Sequence, residues 1–271
     1  AKEGLNKHRN DRDLSQRAAH ALCKAGSPMT ATKILEDLVS SGIRDVETQS
    51  LLASAYKDLC EYSTDPKNKN HYAELAIFRY KEAFSAQLDA SESGEENLES
   101  QYYPCINVAF MHFVSHNLPK AHKYADFARQ ICRTIRERGE GSYWSQATEA
   151  EACLLLGEVD ASIEAYSLAV AMPDAQPSHI ASTRKQALQI ASLYSDTSIR
   201  EKVVESFPIL GIVACSGHVI DSIGGDRRFP PEAEKIAKQR IEVALDEMGA
   251  NCGYSSAACG TDILFLETMI E

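Results

Sequence analysis

The chain has no apolar run of the roughly 18 to 20 residues that a bilayer-crossing helix needs, so a membrane span is not expected. Positive charge is scarce: 28 Lys and Arg face 39 Asp and Glu, leaving a formal charge of −11. Phosphate neutralisation needs clustered cations, and this balance argues against a nucleic-acid or anionic-membrane partner. Eight cysteines are present, yet no two stand as a CxxC pair. That scatter argues against a zinc site or a disulfide framework and fits reduced, mostly buried thiols of a cytoplasmic protein. GxGxxG and P-loop patterns are both missing, which removes the two strongest phosphate-cradling signatures. The first thirteen residues are polar and charged, unlike a signal peptide. A start at Ala1 and an end in a helix-like stretch are read as a piece of a longer chain.

What is there is a spacing. Four times a small residue is followed by a set at i, i+4 and i+7, beginning twelve positions later: Ala19/Ala31/Leu35/Leu38, Ala109/Ala121/Ala125/Ala128 and Ala150/Ser162/Tyr166/Ala169. Ala53/Ala76/Tyr80/Ala83 repeats it after an eleven-residue insertion at Glu61 to His71. Small residues so placed let two antiparallel helices approach closely, and the later set shares one helix face. Each pair buries its apolar side only by stacking on a neighbour, which predicts an α-solenoid presenting a surface to a partner.

Paired helices are expected over Leu14 to Ala25 with Thr30 to Ser41, Thr48 to Tyr62 with His71 to Gln87, Tyr103 to Ser115 with Lys120 to Arg138, and Tyr143 to Leu156 with Ala161 to Ala171. Pro177 to Tyr194 and Ile199 to Glu205 read as caps over the last apolar face. Ser63 to Asn70 reads as a polar loop, and Asp89 to Glu96 as an exposed connection. At Pro208 the pattern changes. Ile209 to Cys215 reads as a strand buried on both faces, Pro230 to Met248 as a helix with Ala237, Ile241, Ala244, Leu245 and Met248 on its stripe, Asn251 to Ala257 as a second strand, and Gly260 to Ile270 as a last helix. The expected organisation is an extension at 1–13, a helical repeat domain at 14–206 and a partial α/β segment at 207–271. The fold class is mainly α: an α-solenoid with a small, incomplete Rossmann-like tail. Two strands are too few for an independent sheet, so further strands are expected to come from elsewhere.

The blocks Ala55-Tyr56-Lys57-Asp58-Leu59, Ala76 to Phe84, Tyr102 to Ala109 and Tyr143-Trp144 with Glu149 to Gly157 resemble the TRAFs-binding, tetratricopeptide-like domain. That family occurs in apoptosis signal-regulating kinases and in bacterial multidomain proteins, and the likeness spans about Thr30 to Leu193. It implies a helical scaffold regulating attached effector domains through protein contacts. Cys105 departs from the family, standing where bacterial relatives often have Gly. The tail, Cys215 to His218, Arg227 to Pro230 and Gly253 to Asp262, is similar to Rossmannoid nucleotide-binding domains of the DprA and lysine-decarboxylase-like type. This resemblance implies a nucleotide ligand at small-residue loops beyond the strands.

The ligand-binding candidates are therefore Ser216, Gly217, Arg227, Arg228, Ser255, Ser256, Gly260, Thr261 and Asp262. The loops follow the strands, the last helix offers free N–H groups, and the arginines add charge-assisted donors. The plainer reading of Gly260-Thr261-Asp262 is a helix N-cap. No catalytic residue is assigned. Cys215, His218 and Asp221 share one loop, which seldom lets nucleophile, base and orienting group meet, and Glu267 reads as a surface carboxylate. His112 and His116, with His122, lack the completing ligands of a metal site. Tyr56, Tyr80 and Tyr166 read as core, while Tyr103 and Trp144, at helix starts, read as half exposed. The basic run Lys120, Lys123, Arg129, Arg133, Arg136 and Arg138 reads as a solvated face.

The leading expectation is a regulatory protein-interaction scaffold from a larger signalling protein, with a nucleotide-sensing tail. The alternative is an enzyme acting on a nucleotide or phosphate-bearing small molecule through the tail, and a third reading makes the tail a ligand-free folding cap.

Overall fold

The structure is a computed structural model that describes residues 11–92, 98–208, 211–221 and 229–270, with the backbone alone at 87–92, 99 and 251. Among the described residues ten helices come first: α1 (Arg12–Lys24), α2 (Pro28–Ser40), α3 (Val46–Tyr62), α4 (Pro66–Glu92), α5 (Leu98–Val114), α6 (Leu118–Glu137), α7 (Tyr143–Leu155), α8 (Val159–Val170), α9 (Pro177–Ala191) and α10 (Thr197–Glu205). Then come β1 (Gly211–Ala214), α11 (Glu234–Glu247), β2 (Ala250–Tyr254) and α12 (Thr261–Ile270). Contacts divide the chain into two units, Ala1–Ala175 with Ser182–Phe207, and Gln176–Ala181 with Pro208–Glu271.

In the first unit, helices pack as successive pairs, α1 on α2 through α7 on α8, with each pair stacked on the next. All sixteen residues of the repeated spacing are buried, none more than 3% exposed. The fourth pair shows how close the helices come. Ser162 Oγ donates to the Ala150 carbonyl at 2.8 Å, which only a small residue at both positions permits. Local signals start and stop these helices. Asp11, Asp45 and Asn117 accept from backbone N–H groups of the first turns, and Ser142 with Ser145 forms a capping box. Gly157 turns α7 into α8 at φ +83°, where its N–H and that of Glu158 bond back to Leu154 and Cys153 carbonyls. After α5 the same left-handed position is held by His116 at φ 56°, a conformation that costs a non-glycine residue about 1 kcal/mol.

Several expectations are corrected. The insertion does not form a long loop: Pro66 starts α4 five residues before the expected start, with Asp65 accepting from the Asn68 N–H, because proline at the first helical position and a capping aspartate outweigh the polar composition. The connection placed at Asp89 to Glu96 is helical as far as Glu92, and its remainder lies outside the described residues. Nor is α9 a simple end cap. Its inner side chains reach α3 and α7, whereas α10 and the residue two beyond its end meet the last pair, through Lys202 to Asp160 at 2.8 Å and Phe207 against Tyr166. Tyr56, Tyr80 and Tyr166 are buried, and Tyr103 and Trp144 are 44% and 41% exposed.

In the second unit, β1 and β2 pair in parallel, with α11 between them in sequence and a register shift between Gly211 and Ile212. What is present among the described residues is a two-stranded sheet rather than a full Rossmann layer. β1 is not buried on both faces: its residues alternate between half-buried and exposed, and Ile212 is 63% exposed. Met248, assigned to the inner stripe of α11, is 61% exposed. Phe229, Leu245, Leu264 and Phe265 make the small core, too little for two strands to cover both sheet faces. Ile209 and Leu210 lie outside the described residues.

Candidate functional site

The most developed polar cluster among the described residues lies on the face made by the first helix of each pair. Lys57, on α3, points its ammonium at the Oδ1 of Asn107 on α5, 2.8 Å away, and at the Oε1 of Gln186 on α9, 2.7 Å away. Gln186 in turn donates through Nε2 to Glu151 on α7. The Phe110 ring lies 5.1 Å from the Lys57 ammonium and supplies its π face. Asn107 is doubly used, since its Nδ2 donates to the Tyr103 carbonyl at 2.9 Å, beside Pro104, which has no N–H of its own. One side chain from each of four helices therefore meets in a single satisfied network, and such a network fixes the register of the elements that carry it.

Around it, the 182–194 stretch is held at further points. Tyr143 on α7 donates to Thr183 Oγ1 at 2.8 Å, Lys185 pairs with Glu61 of α3 at 3.0 Å, and Tyr194 donates to the Leu154 carbonyl and packs its ring, tilted, against Phe113 of α5 at 5.6 Å. Ala187, Ile190 and Ala191 are buried. The binding logic is that of a helix laid on a groove, with small and branched residues inward and polar anchors between them. A shallow depression lined by Asp13, Gln16, Arg17, His20, Glu47 and Leu51 lies between α1 and α3, first helices of their own pairs.

Burial tunes the charges. Glu151, 8% exposed, has its carboxyl pushed up to about 7 by desolvation, against the pull of the Gln186 amide and the Lys57 ammonium. Desolvation pushes Lys57 below the usual lysine range, and Glu151 is the strongest charge holding it up. The folded chain thus keeps the Glu151 proton more tightly than the unfolded chain, so this contribution to stability is complete below the ordinary value of 4.5 and is lost as pH rises through 7. Across that window the native state should lose about 3 kcal/mol from this group, and Glu151→Gln should remove the slope in urea titrations. An unchanged slope in that variant would contradict the assignment.

In the second unit the structure gathers most of the sequence-selected ligand residues. Asp262 is buried and accepts from the Gly217 N–H at 3.0 Å, the Ala258 N–H at 3.4 Å and the Ser256 hydroxyl. The Ser256 hydroxyl first, then the Gly217 and Ala258 N–H groups, hold its carboxyl below the usual range. Thr261 donates N–H and Oγ1 to the His218 carbonyl, and Ser255 donates to the Cys215 carbonyl. Ser216 is exposed. A Cβ on Gly217 would lie 2.3 Å from Thr261, and one on Gly260, at φ +106°, would lie 2.4 Å from the His218 oxygen. Donors in these loops thus already serve Asp262 and backbone carbonyls, so the N-cap role of this stretch is occupied. Arg227 and Arg228 lie outside the described residues.

Sequence reasoning missed the Lys57 network. Three of its members, Lys57, Asn107 and Glu151, stood inside the family-like blocks, and a glutamate flanked by alanines on a buried helix face was the available signal. Of the cysteines, Cys60, Cys105, Cys132 and Cys153 are buried as free thiols, and Cys259 is exposed. Among the described residues no helix is long and apolar enough to cross a membrane, and no cluster of His, Cys, Asp and Glu suits a metal.

Comparison with known proteins follows the fold. Residues 1–112 match the family described as Tetratricopeptide Repeats-Sensor. Among solved structures the chain is similar to a thermophilic tetratricopeptide repeat protein of Thermus thermophilus, with 16% identity, 76% of this chain and 86% of that chain covered, and a TM-score of 0.50. A Podosopora anserina kinesin light chain protein with nearly identical repeats is 14% identical at a TM-score of 0.43, covering 72% and 92% of the two chains. No curated protein matches. The chain carries a tetratricopeptide-like helical domain.

Proposed function

We propose that the chain is a protein-interaction scaffold whose working surface is the face of α3, α5 and α7, and that it serves in a larger signalling protein. One observation carries this reading. The face already binds a helix, residues 182–191, almost wholly through side chains: a hydrogen bond from Lys57 to Gln186, one from Gln186 to Glu151, a buried tyrosine hydroxyl and an ion pair to Glu61. Tetratricopeptide-like repeats generally present such surfaces to protein partners. The resemblance to the TRAFs-binding family supports the regulatory part of the reading, and free buried thiols support a cytoplasmic setting.

The probe is a labelled peptide of residues 177–194, offered to the full chain and to a Lys185→Ala/Gln186→Ala variant in which the resident helix is loosened. Saturable binding to the variant, tighter than to the unmodified chain and lost when Lys57→Met is added, supports the proposal. Failure of the peptide to bind the loosened chain would refute it.

A second reading keeps the 207–271 segment as a Rossmann-like nucleotide sensor, or as an enzyme acting on a phosphate-bearing small molecule. The observation in its favour is that the loops after β1 and β2 meet the start of α12, the usual ligand edge of a parallel sheet. Calorimetric titration with a nucleotide panel tests it. Heat that Gly260→Glu abolishes is expected, and heat that survives this change rejects the loop site.

A further inference from the structure

The basic run on α6 separates into two populations. Arg129 pairs with Asp126 at 2.5 Å and Glu158 at 2.8 Å, while Arg133 and Arg136 both reach Glu149. These guanidiniums are neutralised within the fold. Lys120 and Lys123, at the start of the same helix, are exposed and have no carboxylate partner among the described residues. Lys81 comes toward them from α4, and its ammonium lies 5.4 Å from the Tyr124 ring centroid. Lys123 lies 5.7 Å from the Phe127 ring, and Tyr124 and Phe127 meet edge to face at 6.4 Å. Aromatic faces offset part of the repulsion without neutralising the charge.

A second feature lies beneath this patch. His112 of α5, 5% exposed, stacks on Tyr124 at 6.0 Å, and its buried Nε2 has no hydrogen-bond partner among the described residues. Burial first, then Lys81 and Lys120, push this imidazole down to about 4. Lys81 is lowered in the same way, by burial and by Lys120 and Lys123. Three mutually repelling cations above an orphaned imidazole are a cost that an incoming anion relieves. In a chain of net charge −11, this local excess attracts a short acidic element, while the surrounding field works against a long polyanion. Phe127, 40% exposed, adds an apolar foothold, which matches a peptide better than a free phosphate.

We propose that Lys81, Lys120 and Lys123, set over Tyr124 and Phe127 at the junction of α4, α5 and α6, dock an acidic segment of a partner protein. The proposal rests on the scaffold reading but uses a surface separate from the Lys57 face.

The test uses the full chain and a fluorescein-labelled peptide of repeating Glu-Leu-Glu-Glu sequence, with anisotropy as one readout and the ¹³C-labelled His112 imidazole as the other. Saturable binding is expected, weakened at least about tenfold by Lys120→Glu/Lys123→Glu and left unchanged by the charge-matched Lys67→Glu/Lys69→Glu control. Peptide should also raise the pH at which His112 titrates, and Lys81→Met should diminish that rise. No binding, equal binding by the two double variants, or a His112 titration indifferent to peptide would each overturn the proposal. Equally tight binding of inorganic phosphate or of a single-stranded oligonucleotide would overturn the assignment to an acidic protein segment. Because the 177–194 peptide reports on the other face, failure here is distinguishable from failure of the scaffold reading.

Discussion

Ala150→Leu is expected to destabilise the first unit by about 3 kcal/mol, the upper end of overpacking costs, or to prevent its folding. Ala150 is fully buried, and its carbonyl receives the Ser162 hydroxyl at 2.8 Å, so the two helices touch where the added side chain would go. A leucine there forces α7 and α8 apart, costs the Ser162 hydrogen bond and displaces neighbours on the stack. Ala161→Leu, one residue before that contact and exposed, adds the same side chain to the surface and should leave the urea midpoint unchanged. Equal midpoints for the two variants would show that the spacing does not mark helix contact.

Lys57→Met is the second large effect, about 3 kcal/mol of lost stability. Methionine fills much of the lysine stem volume, so the loss reports on charge and hydrogen bonding rather than on a cavity. The Asn107 and Gln186 oxygens lose their shared donor, and Glu151 loses its cationic neighbour. Adding Glu151→Gln should restore part of the stability, giving a coupling energy of roughly 1 to 2 kcal/mol in a double-mutant cycle by urea denaturation. Additive effects would mean that the two groups do not share a network.

The helical stack was legible because its cause is local and repeated. Alanine or a similarly small residue at a fixed offset is a statement about helix distance, and all sixteen positions are buried. The insertion after α3 was misread because polar composition spoke for a loop while Asp65-Pro66 spoke for a helix start, and the capping chemistry won. The role of α9 was not legible. Lys57 and Gln186 stand 129 positions apart, and their meeting depends on where α9 lies, which no local pattern encodes. In the tail, the apolar run at β1 predicted burial, but its outer face is open, since burial needs neighbours that a strand's own sequence does not provide. The loop cluster around Asp262 was legible as a gathering of small residues, while the use of its donors on Asp262 itself was not.

Amide hydrogen exchange over residues 182–191 tests the central claim, that the face of α3, α5 and α7 grips this helix through Lys57. Comparison of the unmodified chain with Lys57→Met should show faster exchange in 182–191 while α7 and α8 stay protected beyond the change in global stability. Uniform acceleration across the first unit, or no change in 182–191, would contradict it.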